Sequence, residues 1–568
     1  MSEISGKGFA WVAVSHEELD KLFARRGKAT CEVVAVALLW IIGREASGAT
    51  ERGWAGGFIW TGPGSAGKSF GVFESLCLGH SENDYTMTCR TYYVALAAIV
   101  TFAILGNLAL LSRYNIYVGD DGYLASYLYE YHFTGNRSFV LCGDWPIHQF
   151  LVATLGAVYR WIYHAHLTLL EMVGASYYRI NALSAILFLV TFVAYLATVL
   201  RLQGRWVVVA CAIVFGTLEP FLVMSHSVRT ESVILFALAV GIYSLTRNRA
   251  DVLTLGLLFF TGFAIINTHL GGWPLLVGLS AGVYYIFGLR VLLLYSVECA
   301  VAFVAYLLLN DLDSPQALTQ LVETYRRQGS VSSYTRGHVL NDLARYFLEA
   351  KYKRHLIELL IVAGFLLPAL QWRRLSQVAR GLLLTTIVAF LAYVVLFSYI
   401  NYYYLVYFYY LMLVSIAWSG SELLRDRSGG VLTSLVVMPF VVLYASIFVM
   451  FIRSPGWDAI IARQDVILRH LPPDGVIAAP EYFVNIDPRH HRFFVPLAQA
   501  NEESGCVALL PDPRELDALI VDTRQKGLAG PYLDRFTLVE RIRIGRLATQ
   551  SLSDEGDLFV YVRTPSNR

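Results

Sequence analysis

Charged residues are scarce in this sequence. Asp, Glu, Lys and Arg make up 15% of its 568 residues, whereas soluble globular proteins carry about 25%. Hydrophobic residues make up 56% of the chain, and the mean hydropathy is +0.52. A chain with so little charge must confine it to helix ends and loops, which is typical of a polytopic α-helical membrane protein.

Other signals of function are also missing. The seven cysteines form no Cys-x-x-Cys pair, which argues against a zinc site or a redox motif. The net charge is only +2, so nothing indicates a nucleic-acid partner. Residues 62–69, "GPGSAGKS", fit the phosphate-binding P-loop pattern. We interpret the match as coincidental, because no convincing strand precedes it and too few residues surround it to build a nucleotide-binding domain.

The first 86 residues do not belong to the pattern that follows. Met87 opens a short polar stretch that leads directly into the first hydrophobic run. We expect residues 1–86 to be an N-terminal extension, either disordered or derived from a misassigned start codon.

Hydrophobic segments dominate residues 87–452, which we expect to form one transmembrane domain. About eleven segments approach the roughly 20 residues that one membrane crossing needs. They lie near residues 91–112, 178–200, 206–224, 231–246, 252–267, 273–289, 291–309, 356–371, 381–400, 404–419 and 431–452.

Arginines mark alternate connections between these segments. One set of connections holds Arg201, Arg205, Arg247, Arg249, Arg290, Arg373, Arg374, Arg380, Arg425 and Arg427, whereas the opposite short connections hold only Arg229. Because Lys and Arg accumulate on the cytoplasmic side, the first span is predicted to run outward. This orientation puts a first loop at 113–177, a long basic loop at 310–355 and the C-terminal region outside a cell membrane.

Residues 453–568 differ in character from the hydrophobic part. Short β-rich runs, "VIAA", "CVALL", "LDALIVD" and "LFVYV", alternate with polar stretches, and "WDAIIARQDVILRHL" has helical periodicity. We expect a small soluble α/β domain on the extracytoplasmic face.

The first outer loop begins with two adjacent acids, Asp120 and Asp121, in "YNIYVGDDGYLASYLYEY". Tyr123, Tyr127 and Tyr131 follow on one face of a helix, and we expect residues 132–176 to form amphipathic helices on the outer membrane surface. The acids could cap that helix. A carboxylate at the membrane surface could also act as a general base towards a hydroxyl group.

The order of these features resembles the GT-C membrane glycosyltransferases, which include protein O-mannosyltransferases, aminoarabinose transferases and arabinosyltransferases. The resemblance is carried by "VGDDGYLASYLYEY" after the first span, by the interfacial "DWPIHQFLVATLGAVYRWI" and by "HSVRTESVILFALAVGIYSL". In that class an acidic pair follows the first span, and an Arg-x-Glu or Arg-x-Asp often opens the fourth.

The resemblance implies an inverting transfer of a sugar from a polyprenyl-phosphate donor to an acceptor hydroxyl. Asp120 or Asp121 would be the catalytic base, with Asp120 slightly favoured as the first of the pair. The phosphate leaving group requires cationic or hydrogen-bonding stabilisation, so no cofactor is required, and a divalent cation is the alternative. The acceptor, whether glycan, lipid or protein, is not encoded in any local motif.

Further candidates for substrate binding lie on the predicted outer side: Tyr123, His148, His226, Arg229, Glu231, His269 and Arg336. Each has a structural alternative. Arg229 and Glu231 could form an ion pair at a span end, and His269 could cap a helix. Arg336 could belong to a solvated loop.

A different class of function is the alternative. A polytopic transporter or flippase of a lipid-linked or anionic substrate could use Glu298 and Arg229 as relay or substrate residues. Such a protein should show repeated halves with broken helices, and the sequence shows no convincing repeat.

Overall fold

The structure is a computed structural model. It describes residues 89–111, 140–141, 145–146, 179–202, 204–225, 230–309, 319, 357–396, 402–424, 429–453, 466–467, 469–472, 475–479, 493–496, 516–523, 530, 533–545 and 556–564.

A bundle of α-helices forms most of the described structure. Its members are α1 (Cys89–Leu111), α2 (Arg179–Val199), α3 (Arg205–Thr217), α4 (Glu219–Met224), α5 (Thr230–Thr246), α6 (Val252–Thr268), α7 (Trp273–Phe287), α8 (Leu289–Leu309), α9 (Leu359–Ala369), α10 (Gln377–Leu396), α11 (Tyr402–Leu423) and α12 (Gly429–Arg453). Two 3-10 turns, Leu270–Gly272 and Trp372–Arg374, connect helices.

Every predicted hydrophobic segment overlaps a helix, and one segment is divided. The segment 206–224 forms α3 and α4, with Leu218 extended between them (φ −71°, ψ 128°). Pro220 explains the break, because proline has no N–H group and its ring collides with the carbonyl four residues earlier in a continuous helix. The described helices have the arrangement of a polytopic helical membrane protein, as the sequence predicts.

Length and composition distinguish three of the described helices. Leu289–Leu309, Gln377–Leu396 and Tyr404–Leu423 are long and apolar enough to cross a membrane, and eight apolar helical segments of 10–17 residues accompany them. The number of membrane crossings and their direction stay predictions.

Helix α11 lies at the centre of the bundle. It packs against α2, α3, α4, α5, α9 and α10, and 89% of its apolar stretch is buried. By contrast, only 22% of α8 is buried, so α8 lies at the periphery and presents aliphatic side chains such as Val297 and Val301 to the surroundings.

Small residues bring α7 and α10 into close contact. A Cβ atom at residue 282 would lie 2.2 Å from Thr385 Oγ1, and one at residue 278 would lie 2.6 Å from Ala389 Cβ. Gly278 and Gly282 form a Gly-x-x-x-Gly motif, and membrane helices use such motifs to let backbones approach closely.

Two short strands lie where the sequence predicted an interfacial helix. β1 (Val140–Leu141) pairs with β2 (Trp145–Pro146) in antiparallel register. The prediction of helix is therefore wrong at these four residues. Gly143 and Pro146 both disfavour a helix interior, which agrees with the pairing of these strands. The other residues of 132–176 lie outside the described part.

The C-terminal region contains a five-stranded sheet with the order β4-β3-β5-β7-β6. Its strands are β3 (Val476–Ala479), β4 (Phe493–Pro496), β5 (Ala518–Asp522), β6 (Phe536–Gly545) and β7 (Gly556–Arg563). β3 pairs in parallel with β4 and β5, whereas β7 pairs antiparallel with β5 and β6. The runs "VIAA", "LDALIVD" and "LFVYV" correspond to β3, β5 and β7, and "CVALL" lies outside the described residues. The predicted boundary between the transmembrane domain and the C-terminal domain, after residue 452, stays a prediction.

Candidate functional site

One end of the bundle collects the helix ends that the sequence placed on the outer side. Leu110, near the end of α1, belongs to one buried cluster with Leu222 of α4 and with Tyr444 and Ile447 of α12. The Ser232 hydroxyl of α5 donates to the Met224 carbonyl at the end of α4, at 3.1 Å. The end of α1 and the start of α5 therefore lie at the same end of the bundle. Beyond α1 the chain leads to Asp120 and Asp121, which lie outside the described residues.

Glu231 is buried at this end. It lies in the first turn of α5 with 2% of its surface exposed, and the Thr230 hydroxyl donates to its Oε2 at 3.2 Å. A carboxylate in the first turn interacts favourably with the helix dipole. Glu231 is thus a buried acid at a helix N-terminus, and its proposed ion pair with Arg229 stays a prediction because Arg229 lies outside the described residues.

His269 ends α6 in an extended conformation (φ −164°, ψ 143°). Its Nδ1 accepts a hydrogen bond from the Gly271 backbone N–H at 2.9 Å. An acceptor nitrogen carries no hydrogen, so the neutral imidazole places its N–H at Nε2. We therefore assign the tautomer of His269 from this hydrogen bond, with Nε2 as the donor atom of the ring.

The ring of His269 is held by Tyr404. The two ring centroids lie 6.3 Å apart at an interplanar angle of 27°. Gly271 makes this arrangement possible, since a Cβ atom there would lie 2.9 Å from His269 Nδ1 and 3.0 Å from Tyr404 Cε1. Tyr404 in turn packs against Tyr393 and Tyr407, with centroid separations of 5.8 and 6.3 Å.

The His269 turn also lies beside the first turns of α5. A Cβ atom at Gly272 would lie 3.2 Å from Ile234 Cδ1, and Ile234 is one helical turn beyond Glu231. The structure therefore brings Glu231 and His269, two of the predicted substrate-binding residues, to the same end of the bundle.

The aromatic row from Ser398 to Leu411 has a different role from the one the sequence suggested. The row "SYINYYYLVYFYYL" predicts mainly an interfacial aromatic belt, with a lining for a sugar or prenyl groove as the alternative. In the structure, however, Tyr404, Tyr407, Tyr409 and Tyr410 are each at most 7% exposed. These tyrosines pack inside the bundle because α11 is its central helix. The belt interpretation is wrong for this part of the row.

Sequence reasoning missed a buried pair that joins α11 to the start of α9. Tyr409 of α11 donates its hydroxyl hydrogen to Glu358 Oε2, and both residues are 1% exposed. Glu358 directly precedes α9 and the loop 310–355 ends just before it. The available signal was a single acid immediately before a strongly apolar run.

The other candidate residues lie outside the described part of the chain, except for Glu298. Tyr123, His148, His226 and Arg336 lie outside the described residues, as do Asp120, Asp121 and Arg229, so their roles stay predictions. Glu298 lies near the middle of α8 and is half-buried, and its buried Oε2 has no hydrogen-bond partner in the part of the chain that the structure describes. A hydrogen bond from a neighbouring helix to this oxygen is not seen among these residues.

Metal ligands do not converge in the described residues. No group of three His, Cys, Asp or Glu side chains there could hold a metal ion. The divalent cation considered from the sequence stays a prediction, and no step proposed below uses one.

No protein-family model matches the sequence, and no curated protein matches it. Comparison with solved structures nevertheless shows a likeness of fold to a GT-C membrane glycosyltransferase, the class that the sequence resembles. The resemblance found in the sequence is confirmed at the level of the fold.

The particular likeness is to ArnT from Cupriavidus metallidurans bound to undecaprenyl phosphate. The TM-score is 0.51 with 13% sequence identity, over 82% of this chain and 97% of ArnT. The apo state of the same ArnT gives 0.49 at 13% identity, over 83% and 98% of the two chains. An oligosaccharyltransferase from Archaeoglobus fulgidus, in complex with Zn and sulfate, gives 0.40 at 12% identity, over 75% and 68%. The conclusion about the fold rests on the first of these.

Proposed function

We propose that the chain is a membrane glycosyltransferase that moves a sugar from a polyprenyl-phosphate donor to an acceptor hydroxyl, with inversion at the anomeric carbon. The observation that supports this proposal is the likeness of fold, over 82% of the chain, to ArnT bound to undecaprenyl phosphate. The position of the acidic pair after the first span, as in the GT-C class, agrees with it.

The base in this proposal is Asp120 or Asp121. Its carboxylate takes the proton of the acceptor hydroxyl while the acceptor oxygen attacks the anomeric carbon from the side opposite the phosphate. The bond between the anomeric carbon and the phosphate oxygen breaks, and the polyprenyl phosphate leaves with the electron pair. One proton and one glycosyl group are transferred, so no oxidant or reductant is needed.

The leaving phosphate needs stabilisation by positive charge or hydrogen-bond donors. We assign His269 to this role, because its Nδ1 is occupied by the Gly271 N–H and its Nε2 is the donor atom. Arg229 and Arg336 are the proposed cationic partners. Tyr123, His148, His226 and Glu231 are proposed to bind the sugar or the acceptor.

The reaction is proposed to take place on the extracytoplasmic face of the cell membrane. The alternating distribution of arginine supports this orientation. The C-terminal sheet would then lie on the same side as the acidic pair, where a membrane-held donor and a dissolved or membrane-bound acceptor can meet.

The proposal is tested by sugar transfer from a radiolabelled polyprenyl-phosphate sugar in membranes that contain the full chain. We expect Asp120→Asn or Asp121→Asn to abolish transfer at normal expression. Asp534→Asn, an exposed acid next to β6, is the matched control and should transfer at the rate of the unmodified chain.

Two results would contradict the proposal. Full transfer by the double variant Asp120→Asn/Asp121→Asn would remove the acids from the mechanism. Binding of the labelled lipid without transfer to any acceptor fraction would favour the transporter alternative.

A further inference from the structure

Three arginines cluster at the end of the bundle that the sequence places on the cytoplasmic side. Arg373 and Arg374 lie in the 3-10 turn between α9 and α10. Arg380 lies at the start of α10, and its Nη2 donates to the Arg373 carbonyl at 3.1 Å. This hydrogen bond brings the guanidinium group of Arg380 next to the turn that carries the other two.

These positive charges are not neutralised in the part of the chain that the structure describes. The ion pairs found there involve Arg247, His470 and Arg541 but none of the three clustered arginines. Arg380 Nε is buried and has no hydrogen-bond partner among these residues. A buried guanidinium N–H without an acceptor is costly, which indicates that an acceptor is supplied from elsewhere.

The carboxylate adjacent to the cluster is engaged in another contact. Glu422 of α11 accepts from the Ser376 backbone N–H at 2.7 Å and from the Ser376 hydroxyl at 2.5 Å. These bonds fix the start of α10 against α11. Because Glu422 makes no ion pair with Arg373, Arg374 or Arg380, the cluster keeps its net positive charge.

The residues before the cluster follow the order expected at the level of lipid headgroups. Leu370 is 83% exposed and lies two residues before the turn. Trp372 packs edge to face against Tyr285 of α7, with a centroid separation of 6.0 Å and an interplanar angle of 68°. The chain thus passes from an exposed leucine to a half-buried tryptophan and then to exposed arginines. This is the order expected at a membrane interface, from the hydrocarbon side to the aqueous side.

We propose that Arg373, Arg374 and Arg380 bind the phosphodiester of an anionic phospholipid. Guanidinium groups present a planar set of donors that matches phosphate oxygens, and an anionic headgroup adds the negative charge that the cluster lacks. The acyl chains would lie along Leu370 and Trp372. Inorganic phosphate shares the headgroup chemistry but has no acyl chains, so it should bind more weakly. This proposal does not depend on the glycosyltransferase activity.

The test uses the purified full chain in detergent, with phosphatidylglycerol, phosphatidylcholine and inorganic phosphate as probes. Bound lipid is counted by native mass spectrometry, and thermal unfolding is followed in parallel. We expect phosphatidylglycerol to bind in preference to phosphatidylcholine and to raise the unfolding temperature. In Arg373→Gln/Arg374→Gln and in Arg380→Gln, binding of phosphatidylglycerol should weaken by about tenfold or more.

Arg249→Gln serves as the matched control. Arg249 is an exposed arginine on the same predicted side but outside the cluster, so its replacement should leave phosphatidylglycerol binding unchanged. An equal loss in Arg249→Gln would show attraction by general positive charge and would overturn the site. Equal binding of both lipids, unchanged binding in the cluster variants, or equal stabilisation by inorganic phosphate would overturn it as well.

Discussion

Tyr409 and Glu358 join the central helix of the bundle to α9. The Tyr409 hydroxyl donates to the Glu358 carboxylate, and both side chains are almost fully buried. A carboxylate inside an apolar bundle is costly unless polar partners compensate it. This contact therefore fixes α9 against α11 at the point where the chain returns from the long loop 310–355.

Replacement of Tyr409 by phenylalanine should destabilise the protein. The substitution removes a hydrogen-bond donor from a buried carboxylate, which costs about 1–3 kcal/mol. Thermal unfolding in detergent measures the effect. Tyr410→Phe is the matched control, because Tyr410 is equally buried and its hydroxyl has no hydrogen-bond partner among the described residues. Equal unfolding temperatures for the two variants would show that the Tyr409–Glu358 contact contributes nothing.

Enlarging Gly282 should separate α7 from α10. Alanine at this position places its methyl carbon 2.2 Å from Thr385 Oγ1, and the strain of overpacking costs about 1–3 kcal/mol. Gly256→Ala is the control, since a Cβ atom there meets nothing within 4 Å and alanine favours helix by up to about 1 kcal/mol. The two variants should shift the unfolding temperature in opposite directions. A stabilising effect of Gly282→Ala would contradict the close packing.

The connection between α5 and α6 should make stability depend on acidic pH. Asp251 accepts from the Thr254 backbone N–H at 2.8 Å and from Arg247 Nη2 at 2.6 Å. The Thr254 hydrogen bonds, followed by Arg247, lower the pKa of Asp251 from 3.8 to about 2. Because the folded pKa is the lower one, the stabilisation is present above about pH 4. It is lost as the pH falls towards 2.

The pH dependence is checked by comparing the unmodified chain with Asp251→Asn. The unmodified chain should be more stable at neutral pH, and the difference should shrink as the pH falls from about 4 to 2. A difference that stays constant over this range would show that ionisation of Asp251 has no part in it.

Two substitutions of His269 separate its structural role from its proposed chemical role. Asparagine can still accept from the Gly271 N–H but has no group at the position of Nε2. We expect His269→Asn to unfold at the normal temperature and to transfer sugar about 10²-fold more slowly, the effect of losing one stabilising donor. Glutamine keeps a donor near Nε2 but loses the acceptor for Gly271, so His269→Gln should be less stable yet more active than His269→Asn. Normal transfer by a stable His269→Asn would remove this histidine from the mechanism.

The helices could be predicted from the sequence because hydrophobic length is a local property. The division of segment 206–224 was not predicted, although Pro220 marks it. The arrangement around α11 could not be predicted, because a helix that is apolar on all sides gives no indication of which neighbours it contacts. For the same reason the tyrosines of α11 resembled an interfacial belt rather than the interior of a bundle.

The candidate site was only partly predictable. His269 and Glu231 were selected by their residue type and predicted side, but the contacts of His269 with Gly271 and Tyr404 depend on a turn and a helix distant in sequence. Glu358 was missed because its partner Tyr409 is far away along the chain.

In the C-terminal region β6 was missed because "FTLVERIRIG" mixes charge with apolar residues, as expected of an edge strand that shows an irregular register with β7.

The proposed reaction requires the acidic pair to meet its substrates on the outer surface of the membrane. The most direct test places a single cysteine at Asn115, just before the pair, in a chain whose seven cysteines are replaced by serine. A membrane-impermeant maleimide should label Asn115→Cys in intact cells, whereas Arg249→Cys should be labelled only after the membrane is permeabilised. If labelling of Asn115→Cys requires permeabilisation and labelling of Arg249→Cys does not, the acidic pair lies on the cytoplasmic side and the proposed reaction on the outer surface is contradicted.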